Sequence, residues 1–120
     1  ENNVIFAGSI QNKELPRYYA TADIFVGPSV IAEGGDREGL PVTLMEALAS
    51  GCFVITTDFE GNRDLIKDGK NGLLVEERDS IKLAEKILFR ICNKKEKMTK
   101  KAYRFEWKEI SNRYYNVLIK

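Results

Sequence analysis

Pro41-Val42-Thr43-Leu44-Met45-Glu46-Ala47-Leu48-Ala49-Ser50-Gly51, followed at once by Cys52-Phe53-Val54-Ile55-Thr56-Thr57, is the passage on which the fold turns. Proline suits the first position of a helix, where a missing N–H is no loss, and glycine suits the position just past its end. A helix of about residues 42–50 is predicted between the two. Phe53 to Thr57 is a short apolar and β-branched run without alternation, the pattern of a strand buried on both faces.

The same two patterns recur on either side. Ile24-Phe25-Val26-Gly27, stopped by Pro28-Ser29, reads as a buried strand, as do Val4-Ile5-Phe6-Ala7-Gly8 and the brief Leu73-Leu74-Val75. Lys13 to Ala22 carries Leu15, Tyr18, Tyr19 and Ala22 at helical spacing, with Pro16 in the first turn. Asn62 to Ile66 reads as a short helix, broken by Asp68-Gly69 and Asn71-Gly72. Asp79 or Ser80 caps a long helix running to about Arg90. Its apolar stripe is Ile81, Ala84, Leu88 and Ile91, widened by Leu83 and Ile87. Beyond a polar break at Asn93 to Lys97, one helix passes through Met98, Ala102 and Phe105. A last one carries Trp107, Ile110, Tyr114, Val117 and Leu118.

Short apolar strands alternating with helices predict an α/β fold: a Rossmann-like parallel sheet flanked by helices. Ligands in such folds collect beyond the carboxyl ends of the strands. Gly8-Ser9-Ile10, Pro28-Ser29 with its loop, and Thr57-Asp58 all follow predicted strand ends, so the site is expected there.

Composition narrows the chemistry. The chain has 120 residues, 43% hydrophobic and 31% charged, which suits one soluble globular domain. No apolar run approaches the ~20 residues of a membrane span. Glu1-Asn2-Asn3-Val4 has neither the basic segment nor the apolar stretch of a signal peptide, and no initiator Met. The opening reads as a piece of a longer protein. Two cysteines, Cys52 and Cys92, make neither a metal site nor a disulfide framework, and the cytoplasm fits best. The absence of His removes the usual zinc sites and the Ser-His and Cys-His nucleophile pairs. Net charge is +1, yet residues 93–120 hold nine basic side chains against three acidic ones. That tail is either a solvated helical face, the favoured reading, or a contact for an anionic surface such as the inner face of a membrane. Nucleic acid is not expected as a partner.

The chemical signal is a pair of carboxylates, Glu38 and Glu46, with Gly39, Leu40, Pro41 and a helix start between them. A helix N-terminus offers unpaired N–H groups and partial positive charge, which suit a pyrophosphate. A carboxylate before that terminus and another in the first turns can each accept hydrogen bonds from sugar hydroxyls. The arrangement points to a nucleotide-sugar site. Glu33, Asp36 and Glu38 could also be read as a cation cluster, but an acidic, glycine-rich stretch is more often a solvated loop. No metal and no cofactor is expected.

These residues resemble the C-terminal, donor-binding half of a retaining glycosyltransferase of the GT-B fold, in glycosyltransferase family 4 (the glycosyl transferases group 1). The resemblance includes Val4-Ile5-Phe6-Ala7-Gly8, Leu15 with Tyr18-Tyr19, and Ala22-Asp23-Ile24-Phe25-Val26 with Pro28-Ser29. Its central block is Glu38-Gly39-Leu40-Pro41 running into Met45-Glu46-Ala47-Leu48-Ala49-Ser50-Gly51, then Val54-Ile55. Gly61 with Asp64, Asp68-Gly69, Asn71-Gly72-Leu73-Leu74-Val75 and Trp107 complete it. It implies transfer of a sugar, with retained anomeric configuration and without metal, from a nucleotide diphosphate sugar to an acceptor.

By that resemblance Glu38 is the catalytic carboxylate, contacting the transferred sugar and supporting an oxocarbenium-like transition state. Glu46 binds the donor ribose. The backbone of Gly39, Leu40, Pro41, Val42 and Thr43 lines the diphosphate. Gly8, Ser9 and Ile10 pack on the base, with Asn12 nearby. Plainer readings stand beside these: Glu38 as a loop acid, Glu46 as a surface helix acid, Ile10 as core. Asp64 either faces the donor or caps the short helix. Residues 1–105 form the nucleotide-sugar-binding domain, and 106–120 a C-terminal helix packing back toward the domain junction.

The resemblance also marks what the chain lacks. The strands that usually precede Val4 are absent, and with them the Arg/Lys pair that neutralises the diphosphate. No basic residue here matches that pair; Arg63 lies near the right edge of the sheet without a motif to assign it. The missing partner is the N-terminal acceptor-binding domain. The chain alone is therefore expected not to transfer sugar, and an exposed sheet edge favours self-association. Surface polysaccharide or glycolipid synthesis is the pathway implied. The alternative is a nucleotide-binding or protein-interaction module without catalysis. A dinucleotide-binding unit is more distant, because Gly8-Ser9-Ile10-Gln11-Asn12-Lys13 holds a single glycine.

Overall fold

A computed structural model of the chain describes residues 3–35 and 42–93. Seven elements follow in order: α1 (Leu15–Thr21), β1 (Ile24–Gly27), α2 (Val42–Ala49), β2 (Phe53–Thr57), α3 (Glu60–Leu65), β3 (Gly72–Val75) and α4 (Ser80–Cys92). The strands form a parallel sheet in the order β1-β2-β3. β1 pairs with β2 from Ile24↔Phe53 to Gly27↔Thr56, and β2 with β3 from Val54↔Gly72 to Thr57↔Val75. The α/β Rossmann-like arrangement is the one expected. The predicted helices over residues 98–120 lie outside the described residues.

β2 is central, and all five of its residues are buried. Successive strand side chains point to opposite faces, so β2 supplies two cores. Val54 joins Leu44, Ala47 and Leu48 of α2, with Cys52, Leu65 and Ile66, while Tyr19 and Phe25 pack against the cluster. Phe53 and Ile55 join Leu73 and Val75 on the other face, against Leu83 and Ile87 of α4. α2 thus covers one face and α4 the other.

Local chemistry sets the element ends. Gly51 has φ 86°, a left-handed value that glycine takes without a Cβ penalty. Its N–H donates to Leu48 O and that of Cys52 to Ala47 O, both at 3.0 Å, which closes α2 with a Schellman motif. Asp79 caps α4 by accepting from Lys82 N at 2.8 Å. Before β3, Asn71 is buried: its Oδ1 accepts from Lys67 N at 2.7 Å and its Nδ2 donates to Leu65 O at 2.8 Å.

Two expectations are corrected. Val4 to Gly8 forms no strand, and Ile5 and Phe6 are 89% and 95% exposed. A strand exists through a ladder to a neighbour, and among the described residues none lies beside this segment; apolar content alone cannot supply one. The apolar stripe of α4 is also turned. Leu83 and Ile87 meet the sheet, whereas Ile81, Leu88 and Ile91 are exposed. Arg90, one turn beyond Ile87, lays its guanidinium 4.2 Å from the Phe53 ring centroid, a cation–π contact. No helix among the described residues is long and apolar enough to cross a membrane.

Gly72 sits where β3 comes closest to β2. A methyl group there would run into the Val54 carbonyl oxygen and press on Ile66 Cγ2. Gly72→Ala is expected to cost about 1–3 kcal/mol in urea unfolding, the usual cost of overpacking.

Candidate functional site

The carboxyl ends of β1 and β2 are tied together by hydroxyl groups. Thr57 Oγ1 accepts from Ser29 N and donates to Ser29 O, both at 2.8 Å. Thr56 Oγ1 donates to Gly27 O at 2.8 Å and accepts from Asn62 Nδ2 at 3.2 Å. Asn62, buried at the start of α3, also donates to Thr57 O at 2.8 Å. A hydroxyl has one proton and two lone pairs, so each threonine can do both tasks. Glu77 reaches across from the end of β3: its Oε1 accepts from Ile31 N at 3.0 Å. The loop leaving β1 therefore departs from a fixed point on the edge where the site is expected.

α2 begins on that edge. β1 runs toward it, and the turn after α2 delivers the chain to Phe53, which pairs with Ile24 at the opposite end. Val42 and Thr43 are thus the first two residues of α2 at the carboxyl edge, both exposed. Among the described residues their N–H groups have no partner within the helix. Glu46 lies one turn farther on, about 6 Å along the axis, and is exposed. Its Oε2 accepts a hydrogen bond from Tyr19 OH at 3.1 Å. Glu38, Gly39, Leu40 and Pro41 lie outside the described residues. The structure brings Val42, Thr43 and Glu46 into one short array.

Gly8, Ser9 and Ile10 precede α1. Gly8 takes φ 69°, Ser9 is exposed and Ile10 half-buried. No described hydrogen bond ties them to α2. Asn12 is exposed in the turn that leads into α1. Asp64 does not cap α3: that helix starts at Glu60 with Phe59 as its N-cap, which leaves Asp64 in the last turn. A carboxylate caps N–H groups, and the last turn presents carbonyls. No three potential metal-ligating side chains gather among the described residues.

The sequence pattern marks Thr57 as a strand end at the expected site and Tyr19 as a helix residue, and gives neither of them, nor Glu77, a hydrogen-bonding task there. Thr57 had a signal, being the polar end of a buried strand. Nothing local marks the bonds of Tyr19 to Glu46 or of Glu77 to Ile31, which span 27 and 46 residues.

The family model described as glycosyl transferases group 1 matches residues 1–105. The chain belongs to that family. Over 88 residues it is 41% identical to the amylovoran biosynthesis glycosyltransferase AmsK of Erwinia amylovora, covering 73% of this chain and 22% of the relative. It is 33% identical over 87 residues to the GDP-mannose-dependent alpha-(1-6)-phosphatidylinositol monomannoside mannosyltransferase of Mycobacterium tuberculosis H37Rv, covering 72% and 23%. Spore coat protein SA of Bacillus subtilis is 30% identical over 125 residues, covering 98% of this chain and 32% of that protein. The chain spans about a fifth to a third of the length of these relatives. No solved structure matches it.

One charged pair at the site edge gives a pH signature. Asp58, directly after β2, accepts from Arg63 Nε at 2.6 Å. That hydrogen bond holds the Asp58 carboxyl below its ordinary pKa, with burial working weakly against it and the guanidinium charge adding to the lowering. A folded pKa below the unfolded one contributes stability above the unfolded value, which is lost as pH falls through the folded value. The pair is largely exposed, so the contribution is small and screened by salt. In a carbon-13 NMR titration Asp58 is expected to ionise below the usual aspartate range, and Arg63→Ala to return it toward that range.

Proposed function

We propose that this chain is the donor-binding part of a retaining, metal-independent glycosyltransferase that uses a nucleotide diphosphate sugar. The observation that carries the reading is the Val42-Thr43-Glu46 array. An anion-accepting helix start and a carboxylate one turn away stand on the carboxyl edge of a parallel sheet, in a chain of the glycosyl transferases group 1. Diphosphate oxygens accept from the backbone N–H groups of Gly39, Leu40, Val42 and Thr43, Pro41 having none to give, where the helix dipole favours negative charge. Glu46 accepts from the ribose diol. Glu38, ahead of the helix, meets the transferred sugar and offsets the positive charge that develops at its anomeric carbon. Gly8, Ser9 and Ile10 face the base.

The rest of the enzyme supplies the acceptor site and the cations that stabilise the leaving diphosphate. The relatives named for amylovoran biosynthesis and for mannosyl transfer to phosphatidylinositol monomannoside favour surface polysaccharide or glycolipid synthesis on the cytoplasmic side of a membrane. The basic 93–120 segment suits peripheral contact with that membrane. One observation favours a second reading, a protein-interaction module. Among the described residues β1 is an edge strand, and Val4, Ile5 and Phe6 stand exposed, which invites self-association or a partner strand.

NMR titration of the chain with UDP, GDP and ADP tests the first reading. Selective binding is expected, and Glu46→Ala should weaken it by about ten- to a hundredfold, the worth of hydrogen bonds to a charged group. Equal binding by wild type and variant would overturn the assignment of Glu46.

The chain alone is expected to bind donor without transferring it. In a full-length enzyme carrying this chain, Glu38→Gln should lower kcat by about a hundredfold or more. Radiolabelled sugar transfer measures both.

A further inference from the structure

We infer that Tyr19 is the positioning residue for Glu46, holding one oxygen of its carboxylate so that the other is presented to the ribose hydroxyls. The inference rests on the assignment of Glu46 to the donor ribose. Glu46 stands on an exposed helix face, and a glutamate there has several torsions to fix when a ligand arrives. Its carboxylate is not left to itself. The phenol of Tyr19, 27 residues away and on a different helix, donates to Oε2 at 3.1 Å.

Tyr19 is well anchored for this task. Its half-buried ring packs against the Leu44-Ala47-Leu48 cluster and tilts at 50° against the Phe25 ring, with centroids 5.9 Å apart. Its carbonyl oxygen lies 3.0 Å from Cys52 Sγ, a buried thiol donor held by the turn after α2. A tyrosine has only two side-chain torsions, and here the ring and the backbone are both held. The hydroxyl is therefore a fixed donor. A carboxylate has about four lone-pair sites, so one bond on Oε2 leaves Oε1 open to a diol. The phenol also keeps its proton: burial first, then the hydrogen bond and charge of Glu46, and then Cys52, push its ionisation upward.

A plain tie between α1 and α2 would use the same hydrogen bond, so the test must separate presentation from cohesion. Tyr19→Phe removes the hydroxyl and keeps the ring. Wild type, Tyr19→Phe, Glu46→Ala and the double variant of the full chain are titrated with UDP, GDP and ADP and with their 2′,3′-dideoxy forms. Tyr19→Phe is expected to weaken the ribonucleotide by about fivefold, to leave the dideoxy form unchanged, and to have no effect in the Glu46→Ala background. Melting temperature should stay near wild type. Equal losses for both ligand forms would mean a structural tie and overturn the inference. Loss in Glu46→Ala without loss in Tyr19→Phe would overturn it while sparing the ribose assignment. An unaffected Glu46→Ala, or no binding of any of the three nucleotides, would remove the ribose assignment and this inference with it. A ligand-free check is the NMR titration of the Tyr19 ring, whose midpoint should fall in Glu46→Gln. An unchanged midpoint would show that the contact does not form.

Discussion

β2 is buried from end to end. It has a strand on each edge and helices over each face, and Val54, Ile55 and Thr56 are fully buried. An unpaired polar group in such a place costs free energy comparable to a lost hydrogen bond, so every polar atom of the strand must find a partner inside the protein. The backbone does so through two parallel ladders. The hydroxyls of Thr56 and Thr57 do so by reaching sideways to Gly27, Ser29 and Asn62. Satisfying the central strand is therefore also what locks the loop after β1 and the start of α3 to the carboxyl edge. The site side of the fold is built from this requirement.

α2 follows from the same strand. Leu44, Ala47 and Leu48 must face Val54, which leaves Glu46 on the outer side of the helix, turned toward α1. The direction of α2 comes from its closing turn at Gly51-Cys52, which delivers the chain to the amino end of β2 and so puts the helix start at the carboxyl edge. Electrostatics adds to this without contesting it. Two acidic groups near that edge, Asp58 and Glu77, are engaged with Arg63 and the Ile31 N–H.

What could be read in the sequence was what local chemistry punctuates. Pro41 and Gly51 bracketed α2, and the unbroken run Phe53–Thr57 declared a strand buried on both sides, so Val42, Thr43 and Glu46 could be placed before any coordinates. Pattern failed where it offered two answers or none. α4 is apolar on two sides, and counting could not tell that Leu83 and Ile87, rather than Ile81, Leu88 and Ile91, would meet the sheet. Val4-Ile5-Phe6 had the composition of a strand, but pairing is a property of a neighbour. Asp64 has the side chain of a cap, but α3 begins at Glu60, four residues before it. The Tyr19–Glu46 contact spans 27 residues and depends on how α1 and α2 lie side by side, which no local signal encodes.

The turn that closes α2 has one more effect, on the reactivity of the protein. Cys52 is sealed in that turn, its thiol directed at the Tyr19 and Ala22 carbonyls and its ionisation pushed upward by burial and then by the charge of Asp23. Only a thiolate is a good nucleophile, so this cysteine is chemically silent in the folded state. Cys92, at the last turn of α4, is exposed. The chain thus carries a natural single-address label: a maleimide dye or spin probe attaches at the end of α4, and a second equivalent reacts only when the core opens.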